Sequence, residues 1–130
     1  MKVKERYFET IWIHPADPAV VQIIDQRFLP FRFEVEDLHH VDDVFRAIRD
    51  MHLRGAPLIG AAGALGVYLA LARRKKEAAP ADLAEIADYL KSARPTAVNL
   101  AWAVDKVVAA VSRVSGWSGQ VVAAQEEALG

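Results

Sequence analysis

Phe31-Arg32-Phe33-Glu34-Val35-Glu36, followed by Val41, Val44, Phe45, Ile48 and Met51 or His52, decides the fold. The first run alternates apolar and charged residues, a period of two that predicts a half-buried strand. The second spaces apolar residues at i, i+3, i+4 and i+7, the period of a helix with one buried stripe. Asp42, Asp43, Arg46, Arg49 and Asp50 take its wet side. The change of period falls at Leu38, and no strand pattern returns after it. A sheet first and helices afterwards, without βαβ alternation, argues for an α+β fold.

Upstream, Tyr7, Glu9, Ile11 and Ile13 alternate with Phe8, Thr10 and Trp12, mostly good strand formers. His14-Pro15-Ala16-Asp17-Pro18 is turn chemistry, and Val20, Val21, Ile23 and Ile24 read as a second strand. The expectation is a small three-stranded antiparallel sheet over about residues 7–36.

Downstream, Arg54-Gly55-Ala56-Pro57 interrupts the helix pattern. Gly suits the position past a helix, and Pro suits the first turn of the next. Ala56 to Ala72 carries no charge, and Arg73-Arg74-Lys75-Lys76 closes it. That length is at the short end of a membrane span. Its Gly and Ala content contributes little transfer energy, so a buried central helix is the better reading. Gly60, Gly63, Ala64 and Val67 give it a small-residue face; the glycine spacing is not the dinucleotide fingerprint. Ala81 to Ala93 predicts a short amphipathic helix with Leu83, Ile86, Leu90 and Ala93 inward. Another runs from Thr96, with Ala97, Leu100, Ala101, Val104, Val107, Val108 and Val111 on one face. Ser115-Gly116-Trp117-Ser118-Gly119 reads as a break, and Val121 to Leu129 as the start of a last helix with little to pack on. The helical bundle thus covers about residues 41–130 of one domain, read as a fragment of a longer chain.

Composition narrows the function. The 130 residues are 53% hydrophobic and 25% charged, a globular composition. Sixteen Lys and Arg stand against 17 Asp and Glu, which argues against a nucleic-acid footprint. No Cys is present, which excludes disulfides, thiolate metal sites and Cys nucleophiles from this sequence. His39-His40, His52, Asp42 and Asp43 lack metal-ligand spacing, so no metal site is assigned. No G-x-S-x-G supports a Ser nucleophile.

Two corners stand out, Arg54-Gly55-Ala56 and Arg94-Pro95-Thr96. Each places an Arg before a helix, where free N–H groups and the positive dipole end point outward. Gly55 lets a ligand approach the backbone, and a guanidinium grips phosphate oxygens with two donors. Side by side, the corners would clamp a phosphate. The competing reading is that both arginines end helices and pair with Asp50 or Glu85.

Asp25-Gln26-Arg27-Phe28-Leu29-Pro30, Ala47 to Gly60 with its R-G-A-P-x-I-G, and Ala93-Arg94-Pro95-Thr96-Ala97-Val98-Asn99-Leu100 resemble the N-terminal signatures of the methylthioribose-1-phosphate isomerase family. The same superfamily holds ribose-1,5-bisphosphate isomerases and regulatory subunits of the translation-initiation exchange factor. The resemblance implies a cytoplasmic aldose–ketose isomerase of methionine salvage. It would convert 5-methylthioribose 1-phosphate to 5-methylthioribulose 1-phosphate as a homodimer, with no organic cofactor. It implies substrate binding by Arg54, Gly55, Ala56 and Arg94, with the sugar phosphate as partner and neither nucleic acid nor membrane. The family's catalytic Cys and Asp belong to a Rossmann-like C-terminal domain that this sequence lacks, so no catalytic residue is assigned. The alternatives are a non-catalytic regulatory or assembly module, or a ribose-1,5-bisphosphate isomerase.

Overall fold

The computed structural model describes residues 2–3, 6–7, 11–28, 34–53 and 55–129. β1 (Lys2–Val3) and β2 (Arg6–Tyr7) pair antiparallel as a separate small ladder. β3 (Ile11–Ile13), β4 (Val21–Ile24) and β5 (Val35–Leu38) form a three-stranded antiparallel sheet in that order. Five helices follow: α1 (Val41–Arg49), α2 (Ala56–Arg74), α3 (Pro80–Lys91), α4 (Val98–Val111) and α5 (Trp117–Leu129). The chain is therefore α+β, a small sheet beside a helical bundle.

The β3–β4 connection follows from its turn residues. The Asp17 carboxylate accepts the Ala19 N–H at 3.0 Å, and the His14 N–H bonds the Val20 carbonyl at 2.9 Å. Of the expected first strand, Tyr7 pairs in the small ladder and Ile11–Ile13 in the main sheet, while residues 8–10 lie outside the described residues. One strand expectation needs correction. The third strand lies at 35–38 rather than ending at Glu36, while Phe31 to Phe33 lie outside the described residues. Its phase is set by Leu38, which sits across from Val21 with both side chains fully buried. Val35, on the opposite phase, is 48% exposed.

Helix α1 starts where Asp43 accepts the N–H groups of His39 and His40, at 2.9 and 3.1 Å. This satisfies donors that a helix start leaves open. Val44, Ala47 and Ile48 are its buried stripe. It ends at Arg49, earlier than the apolar spacing suggests. Met51 adopts φ 59° and is exposed, so it does not extend the stripe.

Helix α2 is the hub, packed against all four other helices. Of its 19 residues, 12 are buried. By length and composition it could cross a membrane, but two-thirds of its most apolar window is buried inside the protein. A Cβ added at Gly63 would lie 2.5 Å from Leu100 Cδ1 and 2.9 Å from Val104 Cγ2, so the small-residue face admits α4 at close range. Arg73 and Arg74 occupy its last turn, where cations suit the dipole. Arg73 donates to the Ala19 carbonyl at 2.9 Å, and Arg74 pairs with Asp82 at 2.7 Å.

The amphipathic readings of α3 and α4 hold, with Leu83, Leu90, Leu100, Val104, Val107 and Val111 buried. The last helix corrects the expected break at 115–119, because α5 begins at Trp117. Nor does it lack partners. The Trp117 indole N–H donates at 2.7 Å to the Leu71 carbonyl, one of those a helix end leaves over. Gln120, 3% exposed, bonds both the N–H and the carbonyl of Ala78 at 2.8 and 2.9 Å.

Candidate functional site

The N-terminal turn of α2 opens on a cavity of about 510 Å³. Met51, Gly55, Ala56 and Ile59 line one side, and Arg94, Asn99 and the turn from Thr96 to Val98 line the other. Three of the four residues expected to bind substrate, Gly55, Ala56 and Arg94, thus meet around one space. The fourth, Arg54, lies outside the described residues.

Local chemistry explains each side. Gly55 adopts φ 99°, a backbone region closed to most side chains, and precedes Ala56 and Pro57 in the first turn. A Cβ there would meet nothing within 4 Å, so the glycine is needed for conformation rather than space. The Gly55 carbonyl accepts the Ile59 N–H at 2.9 Å, which starts the helix. The N–H groups of its first turn then stay available to a ligand. On the other side, Ala97 N–H donates to the Arg94 carbonyl at 2.9 Å and closes a turn. Helix α4 begins only at Val98, so Arg94 and Pro95 precede the helix by more than the sequence suggests.

Arg94 is half-buried, and it is the one charged group among the described lining residues. It makes no ion pair with any described residue. The expected alternative partner Asp50 is taken by Arg49 at 2.9 Å, and Glu85 forms no ion pair with Arg94. A guanidinium beside helix N–H groups, with no carboxylate among the described lining residues, is an environment suited to an anion.

A separate groove of about 500 Å³ shares Ala56 and Asn99 with this cavity and is lined by Gly60, Trp102, Lys106 and the Glu127 carboxylate that pairs with Lys106. Trp102 is 64% exposed and carries Lys106 Nζ 4.9 Å above its ring.

The sequence reading misses Met51, Ile59 and Asn99 as lining residues. It also misses a cluster beside the 50–55 connection. Asp25, Glu36 and His52 bring ligand-type atoms within 4.8 Å of one another, although His52 stands far from both carboxylates in sequence. Their partners are already set. Arg27 Nε and Nη2 engage both Asp25 oxygens, at 2.6 Å for the shortest contact, and His52 Nδ1 lies 2.7 Å from Glu36. Burial pushes the Asp25 carboxyl up, but hydrogen bonds from Arg27 outweigh it and hold the group below its ordinary value. A carboxylate spent on a guanidinium is a poor metal ligand, so the cluster reads as a structural network.

The chain resembles proteins of known name. It is 46% identical over 130 residues to the methylthioribose-1-phosphate isomerase of Desulfatibacillum aliphaticivorans, covering 99% of this chain and 35% of the relative. The same-named protein of Brucella anthropi is 50% identical over 105 residues, 81% of this chain and 28% of that one. Among solved structures, the translation initiation factor eIF-2B subunit delta of A. fulgidus superposes with TM-score 0.80 at 33% identity, over 92% of this chain and 35% of that one. The 5-methylthioribose 1-phosphate isomerase of Pyrococcus horikoshii does so with TM-score 0.79 at 32% identity, over 92% and 34%. This chain thus spans about a third of the length of the relatives it matches. The model of the initiation factor 2 subunit family matches residues 52–129, which include both corners of the cavity, and the chain belongs to that family.

Proposed function

We propose that this chain is the N-terminal, substrate-phosphate-binding domain of a cytoplasmic aldose–ketose isomerase acting on 5-methylthioribose 1-phosphate. The observation that carries the reading is the meeting of Gly55, Ala56 and Arg94 around one cavity with no carboxylate among its described lining residues. Relatives named for that isomerase, at 46 and 50% identity, support the choice of sugar phosphate.

In this reading the chain binds and orients; it does not carry the proton transfer. A phosphate ester brings close to two negative charges, which the Arg94 fork and the α2 N–H groups meet as it leaves water. Arg54, adjacent to Gly55 in sequence, supplies a second guanidinium. Fixing the phosphate fixes the sugar carbons relative to the acid and base, which the rest of a longer, homodimeric protein supplies. The sequence carries no Cys. In the resembling family the catalytic Cys and Asp belong to the C-terminal domain, so the 130 residues alone do not turn over.

The test, made on the full-length enzyme that carries this sequence, is competition by inorganic phosphate on the wild type, Arg54→Ala and Arg54→Lys. Charged hydrogen bonds contribute roughly 1.5–3 kcal/mol, so Arg54→Ala weakens phosphate by about one to two powers of ten. Arg54→Lys recovers part of the loss, because Lys offers a point charge rather than a fork. Equal inhibition constants with folding intact contradict the reading.

A second reading, a non-catalytic regulatory or assembly module, draws on the equally good superposition with the eIF-2B subunit. It predicts no phosphate affinity at the cavity.

A further inference from the structure

Met51 and Gly55 line the cavity, while His52, between them in sequence, is not among its lining residues and bonds Glu36 through its ring. Three bonds hold this residue. Its N–H donates to the Ala47 carbonyl at 2.9 Å, and its carbonyl accepts the Gln26 N–H at 2.6 Å. Its ring Nδ1 faces Glu36 Oε1 at 2.7 Å, and the side chain is only 12% exposed. Behind it stands Asp25, 3% exposed, which ties the turn at Gln26–Phe28 by accepting the Arg27 N–H at 3.0 Å and the Arg27 guanidinium at 2.6 Å.

The connection needs such a hold. Met51 sits at φ 59°, which a non-glycine residue adopts only where its surroundings impose it. Leu53, fully buried, anchors the far side. His52 lies between these points, next to Met51 and three residues before Gly55, both of which line the cavity, so its anchoring bears on where they are held.

We propose that the Glu36–His52 pair, seated on the Asp25–Arg27 turn, is a positioning device for the anion cavity, holding Met51 and Gly55 in place opposite Arg94. His52 and Glu36 are positioning residues that touch no ligand. The proposal rests on the phosphate-binding reading of the cavity.

Simple electrostatics and positioning predict opposite signs. Glu36 is negative, so its removal acting through charge alone tightens an anion. Loss of positioning loosens it, because an anion site depends on donors held to within a fraction of an ångström. The experiment titrates inorganic phosphate into the full chain that carries this sequence, following the Gly55 and Ala56 amide signals. Melting temperatures are recorded alongside. Glu36→Ala is expected to weaken phosphate roughly 3–10-fold. Glu36→Gln, whose amide oxygen still accepts from the His52 ring N–H, stays within about twofold of wild type. His52→Phe, which fills the space without that N–H, behaves as Glu36→Ala and covers the case in which the alanine variant does not fold.

Arg94→Ala separates the two claims. If Arg94→Ala weakens phosphate while Glu36→Ala and His52→Phe leave it unchanged or tighter, the positioning role is overturned and the phosphate reading stands. If Arg94→Ala changes nothing, the phosphate reading fails and takes the proposal with it. Equal losses in Glu36→Ala and Glu36→Gln also overturn the proposal, since the tether is kept in one and lost in the other.

Discussion

The middle and the N-terminal end of α2 have opposite designs. From Ala62 to Leu69 every residue is buried, and glycine lets α4 approach the helix axis closely. At the N-terminal end Ala56 and Pro57 are exposed, the preceding Gly55 is held at φ 99°, and a cavity opens. Apolar contact, with the Tyr68 hydroxyl donating to the Pro18 carbonyl, gives the middle its stability. The N-terminal end leaves backbone donors and a guanidinium uncovered, which serves a ligand and contributes little to the core. One helix thus separates stability from binding along its length. Substitutions in the middle should change folding, and substitutions at the open end should change affinity.

The largest effect expected is on the buried side. Leu100 is fully buried and fills the space left by Gly63. Leu100→Ala should cost about 2–5 kcal/mol in denaturant unfolding, transfer and cavity terms together. A smaller loss would mean that α4 collapses onto α2.

Gly63→Ala is the sharper probe of close approach. Alanine favours helix by about 1 kcal/mol, while overpacking costs about 1–3 kcal/mol. The contact with Val104 Cγ2 belongs to a β-branched side chain with little freedom, so the net should be a loss of up to about 2 kcal/mol. Stabilisation by this substitution would show that the helices have room to spare.

Smallest is the acid sensitivity of the polar network. Asp25 is held below its ordinary value in the folded chain, so its contribution is complete above the unfolded value near pH ~4. It is lost as pH falls through the lower folded value. Asp25→Asn should flatten this part of the stability profile below about pH 4, measured as urea midpoints. Asp43 is also held low: burial raises it, but hydrogen bonds from the His39 and His40 N–H groups outweigh that, so some acid slope should remain. An unchanged slope in Asp25→Asn would show that the Arg27 fork does not persist in solution.

The same contrast explains what the sequence could reveal. The middle of α2 is legible because burial leaves a periodic, charge-free record from Ala56 to Ala72. The amphipathic stripes of α3 and α4 are legible for the same reason. The third strand is misplaced because Phe31, Phe33 and Val35 give a cleaner alternation than Leu38, yet pairing with Val21 makes Leu38 the buried residue. The start of α5 is hidden because Trp117 and Gln120 act through bonds to backbone some 40 residues away, which leave no local pattern. At the site, Gly55 and Arg94 announce themselves by residue type. Met51 and the Glu36–His52 pair do not, since one depends on a left-handed turn and the other on a contact across 16 positions.

The measurement that bears most directly on the open end of α2 is phosphate affinity with and without the Arg94 guanidinium. Inorganic phosphate titrated by calorimetry into wild type and Arg94→Ala should bind the variant about 10–100-fold more weakly, the loss of one or two charged hydrogen bonds. The melting temperatures should agree, because Arg94 makes no ion pair with the described residues. Equal affinities, or a loss of affinity that only follows a loss of stability, would contradict the division of α2 into a folding middle and a binding end.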